Sequence, residues 1–165
     1  MAQLMAIAAL EDGRYGQAFP FLGGGGERRG KAIVAFCRLS ERPIRVRSRV
    51  NHPDYVIVQD PTILAELDVT EGLRQDGSIL INTRRRPEEL GLPGWVRVHT
   101  FCGASASPAG PITNTSLLGA FSAITGELTP EALMRAVRKR FPGRSGEENC
   151  RMVEEGFRQF RGVGP

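Results

Sequence analysis

The sequence predicts an α/β fold, a mainly parallel sheet with helices on both faces, and three observations point to it. Short apolar runs such as Tyr55-Val56-Ile57-Val58 and Ser78-Ile79-Leu80-Ile81-Asn82 read as strands. Segments with helical spacing alternate with them and follow them, and turn signals such as Asp76-Gly77 separate the two kinds. Strands joined through helices pair in parallel, because a parallel neighbour is reached only by a crossover.

Taken in order, Met1 to Leu10 is almost wholly apolar and reads as a buried helix that stops near Asp12-Gly13. Lys31 to Leu39 is a continuous apolar run, as expected of a strand covered on both faces. Ile44, Val46, Ser48 and Val50 alternate with Arg45, Arg47 and Arg49, the pattern of a half-exposed strand with an arginine-lined face. His52-Pro53-Asp54 turns into the strand at Tyr55. Asp60-Pro61-Thr62 then ends that strand and opens a helix, with Asp60 as cap and Pro61 at the first helical position. Trp95 to Phe101 is a further strand and Cys102 to Gly110 a loop.

Asn114 to Thr125 is a buried helix with Leu117, Leu118, Phe121 and Ile124 at helical spacing, and Gly119 would permit close packing. Thr129-Pro130 opens the next helix, which carries Leu133, Met134, Val137 and Phe141 on one face. Ser145 with Glu148 suggests a capping box for a last helix that turns Cys150, Val153, Phe157 and Phe160 inward.

A length of 165 residues predicts one domain, and 41% hydrophobic with 24% charged residues is the composition of a folded chain. The formal charge of +4 is concentrated between Arg28 and Arg49, where Glu41 is the sole acid. Such a segment suits nucleic acid, an anionic cofactor or an acidic neighbouring subunit, and equally a solvated strand face. Cys37, Cys102 and Cys150 form no Cys-x-x-Cys pair, so this chain alone predicts no zinc or iron–sulfur site, and three unpaired thiols predict a reducing compartment. No apolar run approaches the ~20 residues of a membrane span. A cytoplasmic protein without membrane contact is expected. His52 and His99 lack metal-binding spacing and read as a turn and a strand residue.

Gly23-Gly24-Gly25-Gly26 runs into Glu27-Arg28-Arg29-Gly30. Bare backbone N–H groups beside two guanidiniums can hold an anion or a partner's carboxylate. No Gly-Lys-Ser/Thr follows and a strand rather than a helix comes next, so neither the Walker nor the Rossmann fingerprint is met. Nucleic-acid binding is the competing class, but only Phe36 among the basic residues could offer a stacking platform.

Several ordered motifs carry a resemblance: Gly16-Gln17-Ala18-Phe19-Pro20, Gly26-Glu27-Arg28-Arg29-Gly30, Ala35-Phe36-Cys37-Arg38-Leu39-Ser40, Pro53 through Asp60, Glu71-Gly72-Leu73, Ile81-Asn82-Thr83 and Pro111 through Phe121. Together they resemble the gamma subunit of pyruvate or 2-oxoisovalerate:ferredoxin oxidoreductases. The resemblance implies a flavodoxin-like or Rossmann-like domain over residues 1–165 that assembles with alpha, beta and delta subunits. In that family a 2-oxoacid is decarboxylated on thiamine diphosphate, electrons leave through iron–sulfur clusters to ferredoxin or flavodoxin, and the acyl group goes to coenzyme A. No cofactor is then expected on this chain alone, and no catalytic residue.

The resemblance makes Gly25, Gly26, Glu27, Arg28, Arg29, Arg38, Asp60, Asn82 and Asn114 the candidates for facing a ligand or another subunit, the first five on a loop and the last four at strand ends or helix starts. Asp60 and Asn114 also suit helix caps, Asn82 a strand-end turn and the arginine pair an ion-pair surface. The family pattern begins with a strand and a Gly-x-Gly-Gly-Gln-Gly turn before the helix that here starts at Met1, so an N-terminally truncated gamma domain is expected. An independent anion-, nucleotide- or nucleic-acid-binding module using the arginine face is the alternative.

Overall fold

The computed structural model describes residues 1–21, 33–103 and 113–161. The chain opens with α1 (Ala2–Glu11), and Gly13, at φ +74°, turns it into a hairpin of β1 (Tyr15–Phe21) and β2 (Val34–Ser40). A parallel sheet follows, built from β3 (Tyr55–Val58), β4 (Ser78–Asn82) and β5 (Arg97–Phe101) in the order β3-β4-β5. Three helices complete the described chain: α2 (Thr113–Thr125), α3 (Pro130–Arg140) and α4 (Arg144–Phe160). The α/β class and the parallel sheet are as the sequence predicts.

The two faces of that sheet are covered differently. Leu80 and Phe101 point into a cluster with Leu4, Leu117, Phe121, Leu133 and Val153, so α1 to α4 lie over one face. Ile79 and Ile81, neighbours of Leu80 along β4, point the other way, as the period of a strand requires, and pack with Val58, Leu73, Leu90 and Val96. There the cover comes from short 3₁₀ turns, Pro61–Ala65 and Pro87–Glu89, and their flanking segments. The crossovers between parallel strands therefore run through 3₁₀ turns, and the α-helices sit before and after the sheet.

Caps behave largely as the sequence indicates. Asp60 accepts from Thr62 N (3.0 Å) and Pro61 opens the turn, while Thr129 accepts from Ala132 N (3.1 Å) ahead of Pro130. The expected capping box on α4 does not form. Gly143, at φ +69°, is the residue before the helix, so Ser145 already lies within the first turn and Glu148 pairs with Arg144 instead. Inside, α2 and α4 approach at two glycines: a Cβ on Gly119 would come within 2.0 Å of Val153 O, and one on Gly156 within 1.9 Å of Ser116 O.

Two expected strands are corrected. The run from Lys31 to Leu39 is not a doubly covered central strand: its described part, β2, pairs antiparallel with β1 alone, from Tyr15 opposite Ser40 to Phe21 opposite Val34. Residues 41–54 form no strand at all, and Arg42, Arg45, Val46, Arg47 and Arg49 are exposed along an irregular strap. No helix among the described residues is long and apolar enough to cross a membrane.

Candidate functional site

Three parallel strands ending side by side bring the polar residues after each of them to one edge. That carboxyl edge is where open α/β sheets place ligands. Asn82, the last residue of β4, donates from Nδ2 to Gln59 O just past β3 (3.1 Å), and its Oδ1 accepts from Gly103 N just past β5 (3.1 Å). Gln59 in turn donates from Nε2 to Asn114 Oδ1 at the start of α2. One amide chain thus ties all three strand ends to the first turn of a helix. A Thr83 N–Phe101 O bond of 2.7 Å and an Arg84 Nε–Cys102 Sγ contact of 3.3 Å extend the edge.

Asp60 stands beside this chain with its carboxylate turned to Thr62. The Thr62 hydroxyl and backbone N–H both donate to it and hold its pKa below the ordinary carboxylate value. Asp60 is therefore a cap first, as the cap reading of the sequence has it. Asn114 is exposed and joined to Gln59.

Arg38 is elsewhere. It lies within β2, not at a strand end, donating to Gln17 Oε1 (3.0 Å), Ser48 O (2.6 Å) and Arg49 O (3.1 Å), with its guanidinium 5.5 Å from the Phe19 ring centroid. It fastens the strap to the hairpin. Gly25, Gly26, Glu27, Arg28 and Arg29 lie outside the described residues. The structure thus brings Asp60, Asn82 and Asn114 to one edge, sets Arg38 apart, and adds Gln59. Gln59 carried a signal of its own, since it is a polar residue directly after a parallel strand, as Asn82 is at the end of one.

Cys37, Cys150 and His99 sit in structural surroundings. Burial pushes the Cys37 thiol on β2 up to about 11, and burial also raises Cys150 on α4. Burial, then the nearby Arg97, lowers His99, which packs edge-on to Phe160. Among the described residues no three His, Cys, Asp or Glu side chains gather into a metal-ligating group.

A family model described as pyruvate ferredoxin/flavodoxin oxidoreductase matches residues 1–159. The chain belongs to that family. Pyruvate synthase subunit PorC of Methanosarcina barkeri is 46% identical over 140 residues, covering 83% of this chain and 76% of that protein. The common gamma subunit of the pyruvate/ketoisovalerate oxidoreductases of Thermococcus kodakarensis is 39% identical, over 94% of this chain and 86% of that one. The crystal structure of pyruvate oxidoreductase subunit PORC from Thermotoga maritima superposes with a TM-score of 0.77 at 30% identity, covering 95% of this chain and 86% of the other. Relatives of this family are subunits of multi-subunit oxidoreductases, so partner subunits are expected for this chain. The strand that would have displayed an arginine face, on which the nucleic-acid alternative rested, does not form.

Proposed function

We propose that the chain is the gamma subunit of a thiamine diphosphate-dependent 2-oxoacid:ferredoxin oxidoreductase, a cytoplasmic complex acting on pyruvate or a related 2-oxoacid. In the oxidative direction the bond to the carboxylate breaks and carbon dioxide leaves. The electrons pass to ferredoxin or flavodoxin, and the acyl group forms a thioester with coenzyme A. The synthase direction runs these steps in reverse. Alpha, beta and delta subunits supply the thiamine diphosphate and the iron–sulfur clusters, and this chain forms one gamma domain set against them.

The observation that carries this is the agreement of two matches: 46% identity to a pyruvate synthase subunit over 83% of the chain and a fold match covering 95% of it. Within the complex, the carboxyl edge built by Gln59, Asn82 and Asn114 forms part of the wall facing a ligand or a neighbouring subunit, with Gly25, Gly26, Glu27, Arg28 and Arg29 as further contacts. Asp60 caps the adjoining turn, and Arg38 supports the strap.

Co-expression with thiamine- and cluster-bearing subunits from the same genome is the test. A complex that reduces ferredoxin in a pyruvate- and coenzyme A-dependent manner is expected. Purification of this chain free of any such subunit would overturn the assignment.

A further inference from the structure

The strap between Glu41 and Val50 has the makings of an interface. It is fixed at several points: Arg42 N donates to Ser40 Oγ (3.0 Å), Arg38 holds the carbonyls of Ser48 and Arg49, and further on Arg74 N and Ser78 N hold the carbonyls of Pro53 and Asp54 (both 3.1 Å). Its one acid, Glu41, is taken by Arg14 at 2.6 Å. Arg42, Arg45 and Arg47 are exposed, and among the described residues no carboxylate lies within 4.0 Å of any of them. Elsewhere arginines such as Arg14, Arg74, Arg135 and Arg138 each have an acid. Val46 stands between Arg45 and Arg47 with 56% of its surface exposed.

We propose that this strap, through Arg42, Arg45, Val46 and Arg47, is the docking surface for an acidic face of a partner subunit in the complex. The assignment rests on the gamma-subunit function proposed above. Charge complementarity identifies the partner's chemistry: three guanidiniums strung along at most roughly 17 Å of chain need several spaced carboxylates, more than one small anion offers. The exposed valine among them asks for an apolar contact inside that acidic face. Residues 41–54 contain arginine but no lysine, phenylalanine, tyrosine or tryptophan. Arginine is weakly hydrated and enriched in protein interfaces, whereas single-stranded nucleic acid wants aromatic platforms. Anchoring by Arg38 leaves little of the strap's ordering to be done on binding.

The test compares the wild-type chain with R42E/R45E/R47E, each co-expressed with the thiamine- and cluster-bearing subunits, at about 50 and about 500 mM salt. R151E/R158E/R161E, exposed along and just after α4, carries the same charge change as control. Wild-type association that weakens with salt, at least tenfold weaker association of the strap variant and little change in the control are expected, roughly the scale of close charge pairs across an interface. Circular dichroism and the thermal midpoint should match wild type, since the three guanidiniums touch no described acid. Equal association of wild type and strap variant overturns the docking surface while leaving the gamma-subunit function standing. Wild type that joins no such subunit at low salt defeats that function and the surface with it. An equal loss in the control reduces the effect to net charge and overturns the surface. So does salt-sensitive capture of a single-stranded oligonucleotide that the strap variant loses.

Discussion

The helical layer and the hairpin with its strap are built from the same chain on opposite plans. In the helical layer, fixed geometry comes from burial: Leu117, Leu133, Val137 and Val153 are wholly buried, and Gly119 and Gly156 let two helix backbones nearly touch. The hairpin packs only partly buried residues such as Cys37 and Leu39 against that layer, and the exposed strap is held to the hairpin by directional polar contacts, with Arg38 reaching Gln17, Ser48 and Arg49. Apolar packing is dense and intolerant of volume change, whereas an exposed polar clamp contributes little to global stability but decides what one segment presents. The difference predicts graded responses to mutation.

Leu133→Ala should have the largest effect. The side chain is wholly buried in the main cluster, so its loss removes transfer free energy and leaves a cavity, about 3 kcal/mol or more than a hundredfold in the folding equilibrium. Urea unfolding measures this. A loss below about 1 kcal/mol would show the layer to be loosely packed.

Next is a chemical contrast between the regions. Burial pushes Cys37 in the hairpin up to about 11, so at pH 8 its thiolate fraction, and with it the iodoacetamide rate, should lie roughly a hundredfold below that of an ordinary thiol. The sign follows from the direction of the shift: a raised pKa keeps the thiol protonated, and the rate should climb with pH toward about 11. Site-resolved mass spectrometry should also find Cys150 slow, since burial raises its pKa in the helical layer. Rapid labelling of Cys37 alone would mean that the hairpin opens independently of the helices.

Gly119→Ala tests the helix crossing. The added carbon would meet Val153 O at 2.0 Å and Phe157 N at 2.8 Å, both backbone atoms, so α4 must shift as a body. About 2 kcal/mol is expected, or roughly thirtyfold, read as a lower urea midpoint with an unchanged slope. No loss would mean that the two helices can slide apart freely.

These contrasts explain which parts were legible in the sequence. β3, β4, α1, α2 and α3 each carry a complete local signal: an apolar run of the right period bounded by a glycine, proline or cap. The hairpin does not, because β1 contains Gly16 and Pro20 and an apolar run cannot say whether its neighbour is parallel, antiparallel or a helix. Alternation at Ile44 to Val50 is a strand pattern without a strand partner, and a guanidinium takes the carbonyls of Ser48 and Arg49. Capping failed at α4, where Pro142-Gly143 starts the helix ahead of Ser145, and at α2, which opens at Thr113, so that Asn114 lies inside the first turn and its side chain accepts from Gln59. At the site, Asn82 and Asn114 were visible as a strand end and a helix start. The place of Gln59 directly after a strand was legible too, but its partner Asn114 follows only when β3 and α2 meet in space.

Arg38→Met carries the smallest expected cost in stability and the most specific consequence. Methionine keeps apolar contact with Phe19 and removes the donors to Gln17, Ser48 and Arg49. Because the contacts to the strap are exposed, global stability should fall by at most about 1 kcal/mol, a few-fold in the equilibrium. The strap should nevertheless become a preferred site of tryptic cleavage at Arg45, Arg47 or Arg49, since proteolysis follows local opening rather than global unfolding. Cleavage at those arginines no faster than in wild type would show that Arg74 and Ser78, holding Pro53 and Asp54, suffice to fix the segment, and that Arg38 serves only the hairpin.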